Sequence, residues 1–166
     1  SSDVCSSDLS NRQPPNPQPF FIYLAYNAPH GPIMAPDRYL ERNNHIQDER
    51  RRILAGMMTA VDDGVGRIVE ALKKNGLYRD TLVVLLSDNG APTRVNASLN
   101  TPLRGQKGDV FEGGVRVPFL MAWPGRIKPG QVCPTPVCSL DLLPTFLAAA
   151  GVDVAEHFDG VNLLPW

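Results

Sequence analysis

The stretch LVVLLSDNG, residues 82–90, decides the fold. Thr81 to Leu86 is an unbroken run dominated by branched apolar residues, the pattern of a short buried strand. Because the run does not alternate with polar residues, it predicts cover on both faces, as in a parallel or mixed sheet. It ends abruptly in Ser87-Asp88-Asn89-Gly90. In open α/β sheets, ligands sit outside the carboxyl ends of the strands, where Asp88 and Asn89 fall. A carboxylate and an amide carbonyl are hard oxygen donors, suited to Ca²⁺ or Mg²⁺ rather than zinc. Asp, Asn and Gly also favour plain turns, and on these four residues alone the turn is the simpler reading.

The neighbouring segments alternate in type. FFIYLAY, residues 20–26, is aromatic and β-branched, is bounded by Pro19 and Asn27-Ala28-Pro29, and reads as a second buried strand. A proline-punctuated loop follows, Pro29 to Pro36. Residues 48–75 carry Ile53, Leu54, Met57, Met58, Val61, Val65, Ile68, Val69 and Leu72 at spacings of three and four, one apolar stripe on a long helix. Its methionines are read as core. Lys73 and Lys74 suit the last turn and Gly76 the C′ position. Residues 89–114 form a long loop rich in Gly, Asn and Thr, a length that is uncommon without a function. Val115 to Trp123 is a third strand candidate, closed by Pro124-Gly125. Ser139 or Asp141 is expected to cap a helix running to Ala150 and stopped by Gly151, with Pro144 tolerated in its first turn. The order predicts an α/β fold, a mixed and largely parallel sheet flanked by helices.

Composition sets limits. Hydrophobic residues make up 43% and the net charge is -1, which describes a globular chain and neither a disordered one nor a polycation. Arg50-Arg51-Arg52 is the one cationic run and reads as a solvated helix face, so no nucleic-acid partner is expected. Apolar runs fall short of the ~20 residues that span a bilayer, so no membrane partner is expected either. Cys5, Cys133 and Cys138 lack a matching pair for a zinc site; a 133–138 disulfide stays open, with unpaired thiols the simpler reading. Residues 1–10 nearly repeat themselves (SSDV, SSDL) and read as a non-native segment. Residues 11–18 read as a proline-rich linker, and residues 19–166 as the folded part. Leu163 and Leu164 have no partner element after them.

Two further groups carry chemistry. His30 lies on the loop just past the first strand. Alone it is an ordinary loop histidine; if the two strands are neighbours, it shares a sheet edge with Asp88. In Leu103-Arg104-Gly105-Gln106-Lys107-Gly108, glycines flank a lysine whose ammonium can meet an anion. The Walker spacing is absent. A hard-metal site, a proton donor and a cationic clamp together suit hydrolysis or transfer of a phosphate or sulfate ester.

PFFIYLAYNAPHGP, AVDDGVGRIVEALKKNGLYRDT, LVVLLSDNG, PLRGQKGDVFEGGVRVPFLMAWPGRI, DLLPTFLAAAG and DGVNLLP, spread over residues 19–165, resemble the type I sulfatases of the alkaline-phosphatase-like superfamily. The resemblance implies a sulfuric ester hydrolase, arylsulfatase-like, acting on sulfated carbohydrate or aryl sulfate in a periplasmic or secreted location. It implies Asp88 and Asn89 as ligands of a divalent ion, calcium before magnesium. It implies His30 as a catalytic and substrate-binding residue near the leaving group, and Lys107 as one that binds a sulfate oxygen. Arg104, Glu112 and Arg116 are read as ordering the loop.

The family nucleophile is a formylglycine made from Cys or Ser in a C-x-[PA]-x-R setting, which Cys5, Cys133 and Cys138 do not provide. The family's other metal acids and its second Lys/His pair have no counterpart, and Asp62-Asp63 inside the long helix reads as a solvated or capping pair. The chain is expected to be the middle-to-late portion of a sulfatase domain, inactive by itself. Its substrate selectivity is expected from residues 31–38 and 91–101. A phosphoesterase or phosphotransferase of the same superfamily is the nearer alternative, although residues 88–166 offer only His157 as a further histidine ligand. A non-catalytic module is the other.

Overall fold

The computed structural model describes residues 19–153 and 157–165. The non-native reading of residues 1–10 and the linker reading of 11–18 fall outside them. In chain order the elements are α1 (Asp37–Arg42), α2 (Glu49–Lys74), a 3₁₀ turn (Tyr78–Asp80), β1 (Val83–Leu86), α3 (Glu112–Val115), β2 (Phe119–Ala122), a second 3₁₀ turn (Ser139–Asp141) and α4 (Leu142–Ala149). Among the described residues, no helix is long and apolar enough to cross a membrane.

The long helix begins and ends where the sequence directs. Asp48 caps α2 by accepting the Arg51 N–H at 2.7 Å, which satisfies one of the otherwise unpaired first-turn donors. Beyond Asn75, Gly76 takes φ 66°, and the Leu77 N–H returns to the Leu72 carbonyl at 2.9 Å. That is a left-handed glycine stop, and Leu72 beneath it is among the most buried side chains. Leu54 and Met57 also face the core, but Met58 is half-exposed, so the methionines are not all core. Gly56 lets α1 approach closely: a Cβ there would meet Ala35 Cβ at 3.0 Å and Leu40 Cδ2 at 3.4 Å. The Asn43 amide donates to Thr59 Oγ1 and to the Tyr39 carbonyl, both at 2.9 Å, and buried Tyr39 fills the seam. Asp63 pairs with Arg42 at 2.5 Å, so it ties α2 to α1 and is not merely solvated.

The described part of the sheet is one antiparallel pair, with Leu85 opposite Leu120 and Leu86 opposite Phe119. Cover on both faces is not met here: Leu85 and Leu120 share one face of the pair and both are exposed. The long link after β1 contains only the four-residue α3, and it brings the chain straight back as β2 instead of crossing over a helix. The expected strand over residues 20–26 does not form. Nor is the segment buried as expected: Phe21 and Tyr23 are largely exposed, and its contacts run through side chains, with Phe21 meeting Phe146 of α4 edge-on at 5.7 Å and the Tyr26 hydroxyl lying where a Cβ on Gly64 of α2 would be only 2.5 Å away.

At α4 the capping differs from expectation. Asp141 stands at the N-cap position of α4 as expected, but its side chain makes no capping bond to that helix. Asp141 Oδ2 reaches back to the Cys138 N–H at 2.8 Å, the second half of a capping box. Its Oδ1 accepts the Val161 N–H at 2.9 Å. Thr145 Oγ1 donates to the Asp141 carbonyl at 2.6 Å and accepts the Leu163 N–H at 2.9 Å. The apolar C-terminal segment thus finds its partner behind it, on α4. Cys133 and Cys138 are both free thiols.

The two backbone N–H groups hold the buried Asp141 carboxyl below its ordinary value of 3.8. This stabilisation is complete above the unfolded-state value of about 4 and fades as pH falls through the lower folded-state value. Asp141→Asn puts an NH₂ against one donor. It should cost about 2 kcal/mol near neutrality and flatten the acid-side loss of stability. Urea unfolding of both proteins at pH 7 and pH 3 checks this; parallel curves at both pH values would count against the two-donor lock.

Candidate active site

β1 delivers its C-terminal turn into a lattice of backbone contacts. The Ser87 N–H bonds the Pro118 carbonyl at 3.2 Å, and Ser87 Oγ donates to the Asn89 carbonyl at 2.9 Å, closing the turn. The buried Gly90 donates to the Gly114 carbonyl at 2.9 Å. A Cβ on Gly90 would overlap the Gly113 carbonyl oxygen, one on Gly113 the Gly105 carbonyl oxygen, and one on Gly114 the Asp109 carbonyl oxygen. The Gly113 N–H donates to the Arg104 carbonyl at 2.7 Å. The turn after β1, the start of α3 and the lysine loop therefore lie backbone to backbone. This is the use of glycine where chains must approach closely.

The lysine turn is fixed by the same means. Gly105 and Gly108 both take φ 90°, the left-handed region that glycine tolerates. Between them, the Lys107 N–H donates to the Ala91 carbonyl at 3.2 Å. Asp109 closes the turn by accepting the Gln106 N–H at 3.0 Å. Arg104 stacks over Phe111 at 3.9 Å, and Glu112 pairs with Arg116 one helical turn on at 3.1 Å. The Arg104–Phe111 contact braces the loop, whereas the Glu112–Arg116 pair is exposed and local to α3.

Of the four predicted site residues, Asp88, Asn89 and Lys107 are brought to one loop cluster beyond β1. Asp88 and Lys107 are exposed and Asn89 is half-buried. His30 lies on the separate loop after residues 20–26. Its N–H donates to the Asn27 carbonyl at 2.8 Å, and its Nδ1 lies 2.9 Å from the Gly31 carbonyl oxygen. No hydrogen bond among the described residues joins His30 to the Asp88–Lys107 cluster. Nor do three His, Cys, Asp or Glu side chains gather as a metal cluster among them. Asp88 and Asn89 supply two consecutive hard oxygens on a rigid turn. That donor set fits part of the six to eight oxygens calcium takes.

Two features escaped the sequence. Arg50 donates to the Val95 carbonyl at 2.6 Å and Arg51 to the Ala97 carbonyl at 2.8 Å, so the cationic run anchors the long loop to α2 instead of merely facing solvent. Buried Asn96 stiffens the loop between them by accepting from Ser98. Then Asn100 and Gln106 cross-brace the cluster. The Asn100 amide donates to the Ala91 and Gly105 carbonyls, both at 3.0 Å, and accepts from the Ala91 N–H at 3.3 Å. Gln106 Oε1 accepts from Thr93 Oγ1 at 3.0 Å and the Arg94 N–H at 3.1 Å. Local sequence marks both only as polar residues in a loop.

A family model described as Sulfatase matches residues 6–152. The uncharacterized sulfatase YdeN of Escherichia coli (strain K12) is 40% identical over 153 residues, 90% of this chain and 27% of that protein. Arylsulfatase A of Homo sapiens is 36% identical over 151 residues, 89% of this chain and 28% of that protein. The crystal structure of Ps i-CgsB in complex with k-i-k-neocarrahexaose superposes with a TM-score of 0.88 at 44% identity, covering 99% of this chain and 37% of that one. The chain thus spans 27 to 28% of these two curated relatives.

The glycine lattice has a sharp consequence. Gly90→Ala forces a methyl onto the carbonyl oxygen of Gly113, a residue whose own N–H is tied to the Arg104 carbonyl, and should destabilise by about 3 kcal/mol. Gly66→Ala meets nothing within 4 Å. In the interior of α2 it should be neutral or slightly stabilising. Thermal melts of both variants check the pair; equal melting temperatures would deny the close approach.

Proposed function

The chain belongs to the sulfatase family, and on that premise we propose that the protein carrying it hydrolyses sulfate monoesters. The reading rests on one observation above all: the Gly90–Gly113–Gly114 lattice and the Lys107 N–H on the Ala91 carbonyl, which bind the Asp88–Asn89 turn and the lysine turn into one edge. A turn offering hard oxygens beside an exposed ammonium is the pairing that an anionic tetrahedral ester group in hydrolysis calls for. A phosphoesterase would use the same logic, but the family match favours sulfate.

In this proposal Asp88 and Asn89 hold a divalent ion, calcium in preference to magnesium. Such an ion, when bound, supplies positive charge against the sulfate oxygens. Lys107 neutralises a non-bridging oxygen as charge develops during S–O cleavage. His30 delivers a proton to the leaving oxygen. A carbonyl oxygen only accepts, so Nδ1 carries its proton toward Gly31 and Nε2 is the nitrogen that exchanges one. The attacking group is proposed to be a formylglycine supplied from outside these 166 residues, which contain neither C-x-[PA]-x-R nor S-x-[PA]-x-R. The substrate class is proposed to be sulfated carbohydrate, with aryl sulfate as a reporter; the oligosaccharide held by Ps i-CgsB supports this choice. A periplasmic or secreted location goes with it.

In the full-length protein, Lys107→Ala and Asp88→Ala should each lower kcat/KM for 4-nitrophenyl sulfate by about 100-fold. Chelation should abolish turnover and calcium should restore it. His30→Ala should cost less on this ester, whose leaving group is acidic, than on a sugar sulfate whose alkoxide needs the proton. The isolated 166-residue chain should show no turnover above its own Lys107→Ala control. Full activity in Lys107→Ala would overturn the assignment.

A further inference from the structure

Resting on that reading of Lys107 and the Asp88–Asn89 turn, we infer that Asn100 is a positioning residue: its carboxamide sets the spacing between the cation turn and the lysine turn. Residues 91–111 contain no helix or strand, so their geometry comes from side-chain braces. Among the described residues, Asn100 is the side chain whose bonds reach to within two residues of Asn89 and to within two of Lys107. Its Nδ2 donates to the Ala91 carbonyl, two residues past Asn89, and to the Gly105 carbonyl, two residues before Lys107. Its Oδ1 accepts the Ala91 N–H. The Ala91 carbonyl also receives the Lys107 N–H, so one oxygen takes a donor from the brace and a donor from the lysine itself.

The task requires an amide. Asp offers acceptors alone and would turn a charge toward two carbonyl oxygens; Ala offers nothing. Asn100 is half-buried, so water replaces its bonds poorly once they are lost. Gln106 stiffens the far side by holding Thr93 and Arg94, but it does not touch the Asp88 side. Asn100 therefore acts through the two backbones it joins, not by contact with the ester. A loss of about one ångström in placement costs a reaction of this kind on the order of 100-fold.

The experiment is a double-mutant cycle in the full-length protein, with 4-nitrophenyl sulfate as substrate. Asn100→Ala and Asn100→Asp should each lower kcat/KM about 10- to 100-fold. At saturating calcium, in a Lys107→Ala background, Asn100→Ala should cost less than about threefold more, because what remains of its effect travels through the lysine. The calcium concentration that half-saturates the thermal shift should rise about tenfold in Asn100→Asp. Thr145→Val, which removes the α4 brace, should lower the melting temperature yet leave kcat and KM unchanged. If Asn100→Ala does not accumulate, Asn100→Ser is measured in the same cycle. Wild-type kcat/KM in the Asn100 variants, or their full loss repeated in the Lys107→Ala background, overturns the positioning role. Wild-type turnover in Lys107→Ala alone instead overturns the reading of the lysine, and the positioning role with it.

Discussion

Three carbonyl oxygens occupying space where Cβ atoms would otherwise stand hold this region together. Gly113 O fills that space at Gly90, Gly105 O at Gly113, and Asp109 O at Gly114. The three loop segments can meet because no side chain intervenes, and a loop lacking its own ladder gains the rigidity of a packed interior. Asp88, Asn89 and Lys107 inherit that rigidity. Each is next to, or two residues from, a backbone group that cannot move without breaking a hydrogen bond.

The helices serve this arrangement from a distance. α2 holds α1 through Gly56, Asn43 and Arg42, and it holds the far end of the long loop through Arg50 and Arg51. Residues 20–26, which lead to His30, rest on α2 at Gly64 and on α4 at Phe146. α4 is in turn bound to the C-terminal segment by Asp141 and Thr145. Helical scaffold, short sheet and glycine-packed loops thus form one connected series, with Asp88, Asn89 and Lys107 at the loop end.

Much of this was legible in the residues. The α2 stripe, its Asp48 start and its Gly76 stop are local signals, and local hydrogen bonding enforces them. The β1 run and its polar tip were equally clear. Residues 20–26 depart from the expected buried strand in both respects: the run forms no ladder, and Phe21 and Tyr23 are largely exposed, while Phe21 and Tyr26 touch α4 and α2 through side chains. Arg50 and Arg51 looked solvated because their carbonyl partners lie about 45 residues away along the chain, beyond any periodicity. The Asn100 brace was hidden for the same reason: an amide in a loop has no pattern until the loop is folded. The site residues stood out through the family wording around them, since Asp-Asn-Gly alone is also an ordinary turn.

The most direct measurement is a crystal structure of the full-length protein grown with calcium and a slowly reacting sulfate ester, with the ion identified by anomalous scattering. The proposed site predicts a calcium ion about 2.3–2.6 Å from oxygens of Asp88 and Asn89. It also predicts Lys107 Nζ about 2.7–3.2 Å from a non-bridging sulfate oxygen, with His30 Nε2 facing the ester oxygen. An ion bound elsewhere, or an ester lying away from Lys107 while Asp88 and Asn89 face only water, would contradict it.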